Sequence, residues 1–142
     1  MQGPFVFRVM GLPGDSIVVE KEMCIINGKK NKYWLINKGI PNEDVEDYFK
    51  NSIAEYEEQL PNGVCIHIYR IELSDKDVKR YTYGGIKYMF NYNDMKVIKI
   101  PENHYFLMGD FRSNANDSRQ IGTIPREQIF GKVIEIKPPK KK

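Results

Sequence analysis

The loop GDFRSNANDSR, residues 109–119, constrains this chain more than any other stretch. Two acids (Asp110, Asp117) and two arginines (Arg112, Arg119) share eleven positions with small polar residues. A strand-type run, HYFLM (104–108), leads in, and a second, IFGKVIEI (129–136), follows. Charge at that density between two apolar β segments predicts an ion-paired polar loop held on a β scaffold. Rigid loops of this kind carry sites more often than the elements they connect. By composition alone the loop reads first as a salt-bridged structural turn.

The rest of the chain supplies the scaffold. FVFRVM (5–10) reads as a strand ended by the turn GLPG (11–14). SIVVE (16–20) and MCII (23–26) follow as short strands, and Asn27-Gly28 is a type I′ hairpin signal. KKNK (29–32) reads as a basic turn before the strand YWLI (33–36). Between residues 41 and 60, Asn42 precedes an acidic first turn, and Val45, Phe49, Ile53 and Tyr56 recur at helical spacing. That pattern predicts one short helix with a solvated acid-rich face. VCIHIYRIEL (64–73) alternates as a strand, residues 74–80 form a charged connection, Gly84-Gly85 a turn, and VIKI (97–100) a strand before Pro101. Tyr81, Tyr83, Tyr88, Phe90 and Tyr92 read as an aromatic cluster on edge strands. The expected fold class is mainly β, antiparallel, with one short helix.

A chain of 142 residues fits one domain with an insertion, and 41% hydrophobic and 29% charged residues describe a soluble globular protein. A net charge of +3 with scattered basic residues argues against nucleic acid, and PPKKK (138–142) reads as a solvated tail. No apolar run reaches the roughly 18–20 residues of a membrane span. Cys24 and Cys65 leave a disulfide and two buried thiols both open. His67 and His104 lie far apart with no metal-ligand spacing, so neither a metal nor a cofactor is expected. Ser113 and Ser118 of the ionic loop are flanked by polar and charged residues without an evident base, and read as hydrogen-bonded loop residues.

Two separated motifs make the chain resemble the bacterial type I signal peptidases, membrane-anchored serine proteases that remove signal peptides from exported proteins. The first is FRVMGLPGD (7–15) with the hairpin MCIINGK (23–29). The second is HYFLMGDFRSNANDSRQIGTIPREQIFGKV (104–133), where the family shows Gly-Asp-Asn-Arg, a serine two residues before Asp-Ser-Arg, then Gly and a Val-Pro step. EYEEQLPNGV (55–64) looks like the β-rich lobe inserted in members from Gram-negative bacteria. The resemblance implies a core of residues 1–28 and 97–137, an inserted lobe of 29–96 and a basic tail of 138–142.

It also implies a serine–lysine dyad, and here the chain departs from the pattern. The family's nucleophile lies in an upstream Ser-x-Met motif, whereas only Met1 to Pro4 precede the first motif, so a truncated or degenerate member is expected. The lysine position is Phe7, its partner serine position is Ala115, and the asparagine after Gly-Asp is Phe111. A phenyl ring accepts no proton. The resemblance retains a shell of Arg8, Asp110, Arg112, Asp117, Ser118 and Arg119, with Arg8 pairing Asp110 and Asp117 pairing Arg119. It implies extended signal-peptide-like segments as partners and the periplasmic face of the inner membrane as location. Three readings follow: an incompetent member, a peptide- or partner-binding module, and a diverged enzyme drawing its base from Lys132 or Lys21.

Overall fold

Three antiparallel sheets are built from ten short strands in a computed structural model that describes residues 4–41, 52–72, 95–113 and 115–138. The strands are β1 (Arg8–Gly11), β2 (Ser16–Glu20), β3 (Met23–Ile26), β4 (Lys29–Lys30), β5 (Lys32–Ile40), β6 (Ile53–Gln59), β7 (Cys65–Ile71), β8 (Ile98–Lys99), β9 (His104–Met108) and β10 (Ile124–Pro125). Their spatial orders are β1-β9-β10, β4-β3-β2-β8 and β5-β6-β7. A single turn of helix, α1 (Ser118–Ile121), follows the charged loop, and Arg126–Gln128 forms a 3-10 turn.

Turn chemistry explains the strand boundaries. Asp15 N–H donates to the Leu12 carbonyl across Pro13-Gly14, with Gly14 at φ 89°. Proline then a left-handed glycine at the two central positions is the type II requirement. Asn27 and Gly28 both have positive φ (52° and 78°), as a type I′ hairpin needs, and pair β3 with β4. The expected basic turn at 29–32 is therefore partly strand.

Alternation then builds the core. Ile17 and Val19 of β2, Cys24 and Ile26 of β3, Ile66 and Ile68 of β7, and Phe106 and Met108 of β9 recur two apart and meet in one buried cluster with Met10 and Ile100. Each such side chain contributes about 1.5–3 kcal/mol when fully buried. β7 thus shares its core with β2, β3 and β9. Gly11 marks a bulge in β1: Val9 opposes Leu107 and Gly11 opposes Phe106. A Cβ at Gly11 would lie 2.4 Å from Ile100 Cδ1.

Three expectations need correction. Within the segment expected to be helical, residues 53–59 form β6, the central strand of its sheet. Residues 42–51 lie outside those described. The three-residue step from Ile53 to Tyr56 fits helical spacing, but pairing on both edges against β5 and β7 decides for strand. Second, the acid-rich face is not simply solvated, because Glu58 is fully buried. Third, residues 129–136 form no strand: the segment has no ladder among the described residues and Ile134 is 93% exposed. β-branched composition favours a strand only where a partner supplies the hydrogen bonds. The charged connection of 74–80 and the aromatic cluster of 81–92 fall outside the described residues.

Candidate functional site

The charged loop leaves β9 beside β1, and that adjacency places Asp110 against Arg8. Arg8 lies opposite Met108 in the β1–β9 ladder. Its Nε and Nη2 donate to Asp110 Oδ1 and Oδ2 at 2.8 and 2.9 Å, a bidentate fork. Donating to the Asp110 carboxylate raises the Arg8 pKa further, although partial burial opposes it.

Asp117 closes the loop at its other end. Its Oδ1 accepts from Arg119 Nε at 2.9 Å and from the Arg119 backbone N–H at 3.1 Å, while Oδ2 accepts from Arg119 Nη2 at 2.9 Å and Gly109 N–H at 3.0 Å. Asp117 is also the N-cap of α1, and Gln120 Oε1 accepts its backbone N–H in a capping box. One buried carboxylate therefore ties the two ends of the loop together. Ser118 Oγ accepts from Leu107 N–H at 2.9 Å, which satisfies a buried donor of β9. A Cβ on Gly109 would approach Ala115 Cβ to 2.7 Å, so glycine is needed where the loop folds back.

The middle of the loop docks on β7. Tyr69 N–H donates to Asp110 O and Arg112 N–H to Tyr69 O, forming a parallel bridge between Tyr69 and Phe111. Phe111 packs beside Ile53 and Ile71 in a second, smaller core cluster. Phe111 thus serves as an apolar anchor onto the β5-β6-β7 sheet.

Two buried polar networks extend from here. Arg112 Nη2 lies 2.8 Å from Glu58 Oε1, with both side chains 0% exposed, and its Nε donates to Gly109 O at 2.9 Å. The Nη2–Oε1 contact is an ion pair, and among the described residues Glu58 Oε1 and Arg112 Nη1 find no hydrogen-bond partner. Glu58 Oε2 accepts from Asn31 Nδ2 at 3.0 Å and from the Tyr33 hydroxyl. Burial works against the Arg112 charge, but Glu58, Cys24 and Tyr33 together oppose it and the net shift is upward. In the second network Ser113 Oγ accepts from Ile71 N–H at 2.9 Å and donates to Glu22 Oε1 at 3.2 Å, and Arg70 Nε donates to Glu22 Oε2 at 2.9 Å.

The structure therefore brings Arg8, Asp110, Arg112, Asp117, Ser118 and Arg119 into one loop and its β1 neighbour. Phe7, next to Arg8, is half-buried, its ring 6.3 Å from that of Phe5. Glu22, Asn31, Tyr33, Glu58 and Arg70 escaped the reading of the sequence. Strand alternation at 53–59 was the signal for Glu58, since it sets Tyr56 and Glu58 on one face with Ala54. Ser113 and Ser118 are both buried and engaged as described, and His67 Nδ1 meets Glu55 Oε2 at 2.6 Å on an exposed face. The thiols are free: Cys24 is buried and Cys65 exposed, so the buried reading applies only to the first. Among the described residues no helix is long and apolar enough to cross a membrane.

Comparison with known proteins gives consistent matches. A family model described as signal peptidase, peptidase S26, matches residues 1–136. Signal peptidase I of Rickettsia conorii (strain ATCC VR-613 / Malish 7) is 31% identical over 129 residues, 90% of this chain and 43% of that protein. The Rickettsia typhi (strain Wilmington) protein of the same name is 33% identical over the same shares. The chain thus spans less than half the length of the curated relatives it matches. A crystal structure of a signal peptidase I from Enterococcus faecalis V583 aligns with 90% of this chain and 80% of that one, at 20% identity and a TM-score of 0.42, too low to carry an argument.

Proposed function

The chain belongs to the signal peptidase family, peptidase S26, and from that premise we propose that it is a member without the lysine of the family's serine–lysine dyad. The observation that carries this reading is Phe7. It occupies the position where the resemblance puts the lysine, directly beside an Arg8 that still grips Asp110. The Arg8–Asp110 pair next to it supports reading Phe7 as a substitution at that position. Ala115 replaces the lysine's hydroxyl partner by a methyl group. A neutral lysine needs burial, and both Lys21 and Lys132 are exposed, which weighs against a relocated base. The division into a 1–28 and 97–137 core with a 29–96 lobe, and a place on the periplasmic side of the inner membrane, belong to the same proposal.

Incubation of the purified chain with a preprotein ending in Ala-x-Ala tests it. No cleavage product is expected by mass spectrometry. Turnover that disappears in Ser113→Ala or Ser118→Ala would overturn the inactive reading.

A second reading has one observation in its favour. β1 is an edge strand, paired only with β9 among the described residues, and its Val9 is 42% exposed. An open edge takes an extended peptide by main-chain pairing. Binding of signal-peptide-like segments without cleavage predicts amide shifts at residues 8–11 on titration with an Ala-x-Ala peptide. Unmoved amides at millimolar peptide would end that reading.

A further inference from the structure

The tips of the β3–β4 hairpin and the β6–β7 turn frame an open cleft of about 390 Å3, lined by none of the residues of the charged loop. Lys29, Lys30 and Lys32 line it, together with the amides of Asn27 and Gln59, and no carboxylate does. Three ammonium groups equal the whole chain's net charge of +3, here gathered within four positions. None of the three is in an ion pair among the described residues.

Asp15 and Glu58 contact residues of the lining but do not line the cleft themselves. Asp15 accepts from Asn27 Nδ2 at 3.0 Å and from Leu12 N–H at 3.0 Å. Glu58 lies beneath Asn31 with its charge set against Arg112. The charged groups of the lining are therefore all positive, and concave walls of one sign focus the potential. Lysines also guard sheet edges, and β4 and β5 are edges. Edge protection accounts for the charge but not for a concavity ringed by it, with Leu60 and Pro61 as apolar lining.

We propose that this cleft binds phosphate-bearing anions. Immediately along β5, Trp34, Leu35 and Ile36 are 47%, 47% and 45% exposed. Basic groups beside exposed aromatic and aliphatic side chains suit a phosphate carried on a lipid surface, where each lysine adds about 1 kcal/mol of attraction. A free phosphate compound presents the same oxygens without the apolar contact.

The test uses the full chain with two probes: inorganic pyrophosphate, followed by lysine side-chain NMR, and vesicles of phosphatidylcholine with about one third phosphatidylglycerol, followed by co-sedimentation. Two triple variants remove equal charge, K29A/K30A/K32A at the cleft and K96A/K99A/K132A elsewhere, with thermal melts confirming that both fold. Both probes should bind the parent chain. The cleft variant should lose about a hundredfold in vesicle partitioning, while the control changes by about twofold or less. K29R/K30R/K32R should keep binding. Pyrophosphate binding without vesicle binding retains the anion cleft and excludes lipid as its source. No binding of either probe, or equal loss in both triple variants, overturns the proposal and leaves the lysines as edge protection.

Discussion

Arg8 and Asp110, 102 positions apart in sequence, hold each other through two hydrogen bonds of 2.8 and 2.9 Å. The pair joins the start of β1 to the loop after β9, yet both side chains stay partly open, 40% and 39% exposed. Exposed pairs stabilise little because solvent screens the attraction. Asp110→Ala should therefore lower unfolding free energy in urea by about 1 kcal/mol or less. A loss several times larger would show that the fork carries the fold and not merely the loop's placement.

Arg112 and Glu58 behave oppositely because neither reaches water. Removing one partner strands a buried charge, so Arg112→Met and Glu58→Gln should each cost about 3–5 kcal/mol. The double variant should cost clearly less than the sum, since it removes both charges. Strict additivity in a denaturant double-mutant cycle would contradict the coupling.

Alkaline stability follows from buried neutral acids. Burial pushes the Cys24 thiol from 9.0 up to about 12, and burial with the Glu72 hydrogen bond pushes Tyr56 from 10.0 up to about 12. Burial raises Tyr33 as well. In each case the folded form retains a proton that the unfolded form releases, so stability is full below about pH 9 and falls between about pH 9 and 12. Melts across that range should decline, and Cys24→Ala should flatten the early part of the fall. At neutral pH a thiol reagent should label Cys65 at once and Cys24 only after denaturation.

Substituting the two proposed dyad positions tests that assignment. Phe7→Lys with Ala115→Ser rebuilds the lysine and its hydroxyl partner in a frame that is still ion-paired. The double variant should fold but release no product from an Ala-x-Ala preprotein, because Ser113 and Ser118 are buried and already engaged in hydrogen bonds. A burst of product from the variant alone would show that one of this chain's own serines can attack.

Gly109→Ala probes the loop's closure. The added Cβ would sit 2.7 Å from Ala115 Cβ, a clash between two backbone-anchored groups. A cost of about 1–3 kcal/mol is expected from denaturant melts, with larger amide changes at residues 115–119 than in β2 and β3.

Much of this was legible without coordinates, because turns and alternating strands are local. Pro13-Gly14 and Asn27-Gly28 dictate their turns through backbone sterics, and the period-two pattern of Ile17, Val19, Ile66 and Ile68 announces a buried face. The loop's acids and arginines could be listed from the sequence, and the family pattern located Phe7 and Ala115. What needed the tertiary structure was every outcome set by a distant partner. Ile53 to Gln59 became a strand because β5 and β7 flank it, while residues 129–136, with better strand composition, found no ladder among the described residues. Glu58 reads as one more surface acid until the fold buries it against Arg112, and Phe111 reads as a lapse in a motif until it packs on Ile53 and Ile71. Local sterics are written residue by residue, whereas burial and ion pairing depend on what lies across the core.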